Sequence, residues 1–152
     1  MRGNCYKNKQ QIEIPRDTFT CMATVVRFED LDVWKLARTI NKEITPILKR
    51  LNDARCFELK NQLDDSLGSV MDNIAEGFER DGNREFVQFL SMSKGSLGES
   101  RSQLYRIFDR GFISEQELQQ YQSECLELAS KIANFMAYLR KAGHRGPKFR
   151  QL

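Results

Sequence analysis

Two glutamates in the middle of the chain have the residue type that acid–base chemistry requires. Glu76 and Glu99 lie in neighbouring helical stretches, and carboxylates that converge on a cleft can act as a general acid and a general base. Basic side chains at Arg80, Arg84 and Lys94 lie close to them in the sequence. Ion pairs with these bases, or hydrogen bonds to backbone groups near the turn, are the simpler interpretation. We therefore expect no catalytic residue and keep an enzyme that uses Glu76 and Glu99 as an alternative.

The sequence gives little support for a metal site, a nucleophilic side chain or a phosphate-binding loop. The single histidine, His144, lies beyond the last helical stretch, whereas a di-metal site in a helix bundle uses Glu-x-x-His motifs on facing helices. Cys125 falls on an apolar stripe, where a thiol behaves as a small hydrophobic side chain. The sequence contains neither G-x-x-x-x-G-K-[ST] nor G-x-G-x-x-G. We expect no metal and no cofactor.

Charge is divided unevenly along the chain. The formal net charge of +3 combines +3 over residues 1–27, −5 over 28–139 and +5 over 140–152. The last segment interleaves aromatic with basic residues, a pattern that allows base stacking together with phosphate contacts. Its candidate nucleic-acid contacts are Arg140, Lys141, Arg145, Lys148 and Arg150. A tail that only adds solubility is the alternative, because the body of the protein is mildly acidic.

Four stretches with apolar residues at steps of three and four must position these groups. The first is predicted to begin at Asp30 or Leu31 and end at Leu51, and the second to begin between 54 and 57 and end at 78 or 79. The third follows an N-cap at Asn83 and ends at Arg110. The fourth begins at a capping box of Ser114 and Glu117 and ends near 142. Short turns between helices of this length predict an all-α, antiparallel up-down-up-down four-helix bundle.

The chain length of 152 residues suits one domain. We expect a poorly ordered N-terminal arm over residues 1–27, within which Met22 would serve as a translation start, then the bundle over 28–142 and a basic tail over 143–152. No apolar run approaches the ~20 residues that span a bilayer, so no membrane is expected. The four cysteines show no C-x-x-C spacing, which favours reduced thiols and the cytoplasm.

Small residues crowd the middle of the third helix, SMSKGSLGES. Its two glycines, Gly95 and Gly98, cost the helix about 1–2 kcal/mol relative to alanines. Close packing of Gly95 against another helix would offset that cost. We expect a polar seam of small residues where the second and third helices meet each other or a neighbouring subunit.

Three motifs, RFEDLDVWKLAR, SVMDNIAEGFER and NREFVQFLSMSKGSLGESRSQL, resemble those of the 23S rRNA intervening-sequence proteins, in the same order and spacing. The resemblance covers about Arg27 to Ala142. It implies a left-handed four-helix bundle that assembles as a ring, typically a homopentamer. The chain is also similar to the accessory proteins of diversity-generating retroelements, pentameric barrels that bind nucleic acid and partner with a reverse transcriptase.

The resemblance implies no catalytic role for the family's signature residues in this sequence. They are Asn73, Glu76, Gly77, Arg80, Glu85, Phe86, Phe89, Leu90, Gly95, Ser96 and Glu99. We interpret the protein as a non-enzymatic, ring-forming helical bundle that acts as a binding or scaffold protein, with RNA or DNA as the leading partner. A protein–protein scaffold that binds no nucleic acid is the alternative.

Overall fold

The structure, a computed structural model, describes residues 25–80 and 82–142. These residues form four α-helices and no strand, which confirms the all-α class. The helices are α1 (Asp32–Asp53), α2 (Phe57–Glu79), α3 (Asn83–Asp109) and α4 (Glu115–Lys141), and a 3₁₀ turn over Phe28–Asp30 precedes α1. The predictions for the N-terminal arm up to residue 24, and for the tail from residue 143, lie outside the described residues.

The predicted apolar stripes form the core. On α1, for example, Ile40, Ile44, Ile47 and Leu51 are at most 1% exposed. Full burial of such a side chain contributes roughly 1.5–3 kcal/mol. Each helix packs on its neighbour in the chain, and α1 also packs on α4, so the first and last helices meet around one core.

Hydrogen bonds between helices join positions in opposite sequence order. From α2 to α3, Ser66 meets Ser100, whereas Ser69 meets Ser96. From α4 to α1, the Tyr121 hydroxyl donates to the Glu43 carbonyl, whereas Glu117 accepts from Arg50. Rising residue numbers on one helix therefore run against falling numbers on its neighbour.

The α3–α4 connection uses the end signals that the sequence predicts. Gly111 has a φ of +77° and follows α3. Its amide donates to the Phe108 carbonyl at 2.8 Å, and the Phe112 amide donates to the Ile107 carbonyl at 3.1 Å, which together make a Schellman motif. The capping box of Ser114 and Glu117 is also confirmed.

The α1–α2 connection has the same backbone geometry without a glycine. The Cys56 amide donates to the Leu51 carbonyl at 2.8 Å, and the Arg55 amide donates to the Asn52 carbonyl at 3.0 Å. Arg55 occupies the left-handed position, with a φ of 58°. Because a Cβ crowds the backbone there, an arginine at this site stores strain that a glycine would not.

The predicted N-cap of α3 is wrong. Gly82, with a φ of +115°, is the N-cap, and Asn83 is the first helical residue. Asn83 is buried at 3% exposure, and its side-chain amide donates to the Leu139 carbonyl at 3.4 Å. The asparagine therefore ties the start of α3 to the last turn of α4, where carbonyl groups lack helical partners.

Candidate functional site

A line of hydroxyl groups joins α2 to α3. We call it the serine seam, and it consists of Ser66, Ser69, Ser93, Ser96 and Ser100. The Ser66 and Ser100 hydroxyls lie 2.8 Å apart, and those of Ser69 and Ser96 lie 3.0 Å apart. Ser93 donates to the Val70 carbonyl at 2.9 Å. Short side chains let the two helices approach closely, and hydrogen bonds between them satisfy groups that burial removes from water.

Asn73 extends the seam along α2. Its side-chain amide donates to the Ser69 carbonyl at 2.7 Å and to the Ser69 hydroxyl at 3.0 Å. Those bonds hold the Ser69 hydroxyl in place for its contact with Ser96. Asn73 therefore positions the seam from within α2.

Gly77 marks the tightest contact between α2 and α3. A Cβ built on Gly77 would lie 2.6 Å from the Phe89 Cβ and 2.7 Å from the Phe86 Cδ2. Phe86 in turn packs edge-on against Phe78 and Phe135, with ring centroids 6.1 Å and 5.3 Å away. Only a glycine leaves room for the Phe86 ring at this position, because real Cβ atoms do not approach other atoms so closely.

Charged signature residues surround that contact on the surface. Arg80 hydrogen-bonds to Glu76 at 2.5 Å, lies 3.8 Å from Glu85 and stacks over the Phe89 ring at 5.5 Å. The hydrogen bond to Glu76 raises the pKa of Arg80 above its ordinary value. The expected pairing of Glu76 with a neighbouring base is confirmed. Because these side chains are about half exposed, water screens the ion pair and its contribution to stability is small.

The two glutamates that could have formed an acid–base pair do not converge. The contact between Ser69 and Ser96 fixes the register of α2 against α3. From that contact, Glu76 lies seven residues along α2 and Glu99 lies three residues along α3 in the opposite direction. At 1.5 Å per residue the two are displaced by about 15 Å along the helix axes. A carboxylate pair needs both groups at one reacting atom, so this pair cannot supply general acid–base catalysis.

The expected close packing at Gly95 does not occur between helices of this chain. Apart from the backbone of α3 and the adjacent residues, no described atom lies within 4 Å of a Cβ built on Gly95 or Gly98, and both glycines are exposed. The reason is the register of α3. Ser93 and Ser100 share the buried line of Leu90 and Leu97, which faces the core, whereas the glycines lie on the outer face.

Cys125 is inert in the way that its place on an apolar stripe predicts. It is fully buried, and burial raises the pKa of its thiol to about 11. A thiol with so high a pKa holds almost no reactive thiolate at neutral pH. Within residues 25–80 and 82–142, no three histidine, cysteine, aspartate or glutamate side chains are grouped as metal ligands.

The candidate nucleic-acid contacts are only partly described. Arg140 and Lys141 are exposed in the last turn of α4. Arg145, Lys148 and Arg150 lie outside the described residues. None of the helices that the structure describes is long and apolar enough to cross a membrane.

Sequence reasoning missed the polar contacts that join α4 to its neighbours. Arg50 donates to the Glu117 carboxylate at 2.6 Å and to the Phe112 carbonyl at 3.0 Å. Arg101 and Gln122 exchange two hydrogen bonds of 2.9 Å between α3 and α4. Only the capping box, which predicts Glu117 at a helix start, hinted at any of these residues.

The signature residues thus lie on α2 and α3, the helices that contain the second and third sequence motifs. The sequence profile of the 23S rRNA-intervening sequence proteins matches residues 29–134. The chain belongs to this family. No curated protein matches it.

A solved structure shares the fold of this 23S rRNA-intervening sequence protein. It is a protein of unknown function from the S23 ribosomal protein family of Bacteroides thetaiotaomicron, with a TM-score of 0.64 and 17% sequence identity. The match covers 68% of this chain and 97% of the other. At that identity the likeness concerns the fold alone.

The family signature divides into two groups by burial. The inner group, which contacts the neighbouring helix or the core, contains Gly77, Phe86, Leu90 and Ser96. The outer group is exposed and contains Glu76, Arg80, Gly95 and Glu99. Packing within the chain explains the residue types of the inner group. It does not explain why position 95, in the outer group, is a glycine.

Proposed function

We propose that this member of the family is a non-enzymatic scaffold protein that assembles with copies of itself. In this proposal the four helices form the antiparallel up-down-up-down bundle that the sequence predicts, and the bundles close into a ring, the homopentamer that the resemblance implies. The opposite sequence order of contacts between neighbouring helices supports the bundle. We propose the cytoplasm as its location, and the free thiols of Cys56 and Cys125 support this.

The outer face of α3 is the observation that carries the proposal. Ser91, Gly95, Gly98 and Ser102 follow one another at steps of four, three and four residues, and all four are exposed. Two of the large exposed apolar side chains, Met92 and Tyr105, lie on the same helix at 52% and 51% exposure. A helix from a second copy could approach this face as closely as α2 approaches the serine seam.

The energetic argument concerns the two open glycines. Each glycine lowers helix stability by about 1 kcal/mol relative to alanine, and nothing within the described chain offsets that cost. Contact with a second copy would offset it by burying the exposed face. Leu126 on α4 and Phe57 at the start of α2 are also about half exposed and provide apolar surface for the opposite side of a ring contact.

Light scattering on the purified protein tests the assembly. The expected mass is several times the 17.7 kDa of one chain. Gly95→Leu should reduce that mass while the helix content stays unchanged, because a Cβ at this position meets open space within one chain. Gly68→Leu is the matched control, since a Cβ on Gly68 also meets no described atom, but on α2. A monomeric parent at micromolar concentration, or equal effects of the two variants, would contradict the proposal.

Nucleic acid is the partner that we propose for the assembled scaffold, and the charge of the C-terminal segment supports it. Residues 140–152 carry five basic and no acidic residues. A ring would present several such segments together, and avidity could strengthen weak contacts from each. The partner would be RNA or DNA, as in the retroelement accessory proteins, with a reverse transcriptase as a further protein partner. A protein–protein scaffold without nucleic acid is the alternative, which the acidic body favours.

A further inference from the structure

Glu124 places one carboxylate oxygen where water does not reach it. Its Oε1 accepts a hydrogen bond from the Gln120 side chain at 3.0 Å. Its Oε2 is buried and has no hydrogen-bond partner among the described residues. An ionised oxygen in that position loses its hydration without compensation, whereas a protonated oxygen can donate a hydrogen bond.

A second carboxylate, that of the exposed Glu43, lies beside the Glu124 side chain. The hydrogen bond from the Tyr121 hydroxyl to the Glu43 carbonyl, 3.1 Å long, brings that turn of α1 against α4. There the side chains of Glu43 and Glu124 lie within hydrogen-bonding reach of each other. Two ionised carboxylates are acceptors only, so they can bond to each other only when a proton lies between them.

The other charged groups nearby do not neutralise the pair. On α4, Glu127 adds negative charge and is itself paired with Lys131 at 3.5 Å. On α1, Arg50 forms an ion pair with Glu117. On α3, the Arg101 side chain donates to Gln122 at 2.9 Å. The Tyr121 phenol stays neutral at physiological pH, because burial raises its pKa. Among the described residues no base forms an ion pair with Glu124.

We propose that Glu43 and Glu124 share one proton across the contact between α1 and α4, so that this contact is stronger in acid and weaker at neutral pH. The contact joins the first helix to the last and therefore closes the arrangement of four helices. Protonation at the pair thus regulates how firmly the two ends of the helical region hold together.

The direction of the pH effect follows from the pKa of Glu124. Burial raises it above the ordinary value of 4.5, and the charges of Glu43 and Glu127 add to the rise. The folded protein therefore binds a proton that the unfolded chain has already released. The stabilisation is complete below about pH 4.5 and is lost as the pH rises through the raised value.

Thermal unfolding between pH 5 and pH 8, at fixed protein concentration, tests the proposal. Glu124→Gln keeps a donor beside Glu43 at every pH, so we expect its midpoint at pH 8 to exceed that of the parent by about 2–4 °C and to fall less as the pH rises. Glu115→Gln is the control, because that carboxylate lies in the first turn of the same helix and is exposed. Equal pH dependence in the parent and Glu124→Gln would overturn the proposal.

A direct titration separates proton sharing from burial alone. The carboxyl carbon of Glu124, followed by NMR, should titrate above its ordinary range in the parent. In Glu43→Gln the new amide can donate to the buried oxygen, so the pKa of Glu124 should move back towards that range. A titration in the ordinary range in the parent, or a raised value that Glu43→Gln leaves unchanged, would refute the shared proton.

Discussion

Gly77 of α2 lies against Phe89 of α3 so closely that a Cβ at Gly77 would be 2.6 Å from the Phe89 Cβ. The atom that it would meet is the first atom of the Phe89 side chain, which moves only with the α3 backbone. Phe86, the second neighbour, is held by edge-on contacts with Phe78 and Phe135. The distance between α2 and α3 at this point is therefore set by the absence of a side chain.

Gly77→Ala should destabilise the protein, although alanine is the better helix former. The methyl group would push the two helices apart, at a typical cost of about 1–3 kcal/mol. Gly68→Ala is the control, since its Cβ meets open space and the change should gain up to about 1 kcal/mol. Urea unfolding of both variants gives the comparison. A Gly77→Ala protein as stable as the parent would show that α2 and α3 can separate freely there.

Arg55→Gly should stabilise the protein by about 0.5–1 kcal/mol. Glycine relieves the strain of a φ of 58°. The energy of that strain exceeds the cost of the extra conformational entropy that glycine loses on folding. Arg110→Gly provides the control, because Arg110 follows α3 with a negative φ of −90° and gains nothing from glycine. Thermal midpoints should rise for the first variant only. A fall at position 55 would mean that the arginine side chain has contacts that outweigh the backbone strain.

The stabilisation that the ion pair between Arg50 and Glu117 provides should be lost in acid. The hydrogen bond from Arg50, with those from Ser114, lowers the pKa of Glu117 from 4.5 to about 2. The folded form therefore releases a proton that the unfolded chain still binds between these values. The stabilisation is present above about pH 4.5 and is lost as the pH falls towards 2.

Glu117→Gln should accordingly flatten the loss of stability below pH 4.5 and cost about 1 kcal/mol near pH 7, since the two side chains are 43% and 31% exposed. Glu115→Gln, in the same first turn of α4, removes a carboxylate that has no described arginine partner. Unfolding curves at pH 3 and pH 7 distinguish the two variants. If both had the same acid dependence as the parent, Arg50 would not hold Glu117 ionised.

The helices could be predicted because their apolar residues repeat at the helical spacing and their ends carry local signals, such as Gly111 and the box of Ser114 and Glu117. The orientation of α3 was also present in the sequence. Ser93 and Ser100 fall on the line of Leu90 and Leu97, whereas Gly95 does not, so the inner small residues are the serines. The pairs Arg50–Glu117 and Glu43–Glu124 could not be predicted, because periodicity gives no register between helices that are distant in sequence.

The tail should account for much of any nucleic-acid affinity, because residues 140–152 carry five positive charges and no acid. If all five contacted single-strand phosphates, the logarithm of the binding constant would fall with the logarithm of salt concentration with a slope of about −3.5 per chain. Truncation after Lys141 removes Arg145, Lys148 and Arg150 and should make that slope shallower by about 2.

The matched control neutralises three exposed lysines of the helical region, Lys42, Lys49 and Lys94, by glutamine. It removes the same positive charge, so a general electrostatic attraction would respond equally to both variants, whereas a contact through the tail responds only to the truncation. Titration of labelled RNA and DNA at about 50 mM salt, where such contacts are strongest, measures the binding. Absence of binding by the parent there would leave the protein–protein scaffold as the better interpretation, because avidity from several tails should make even weak contacts measurable.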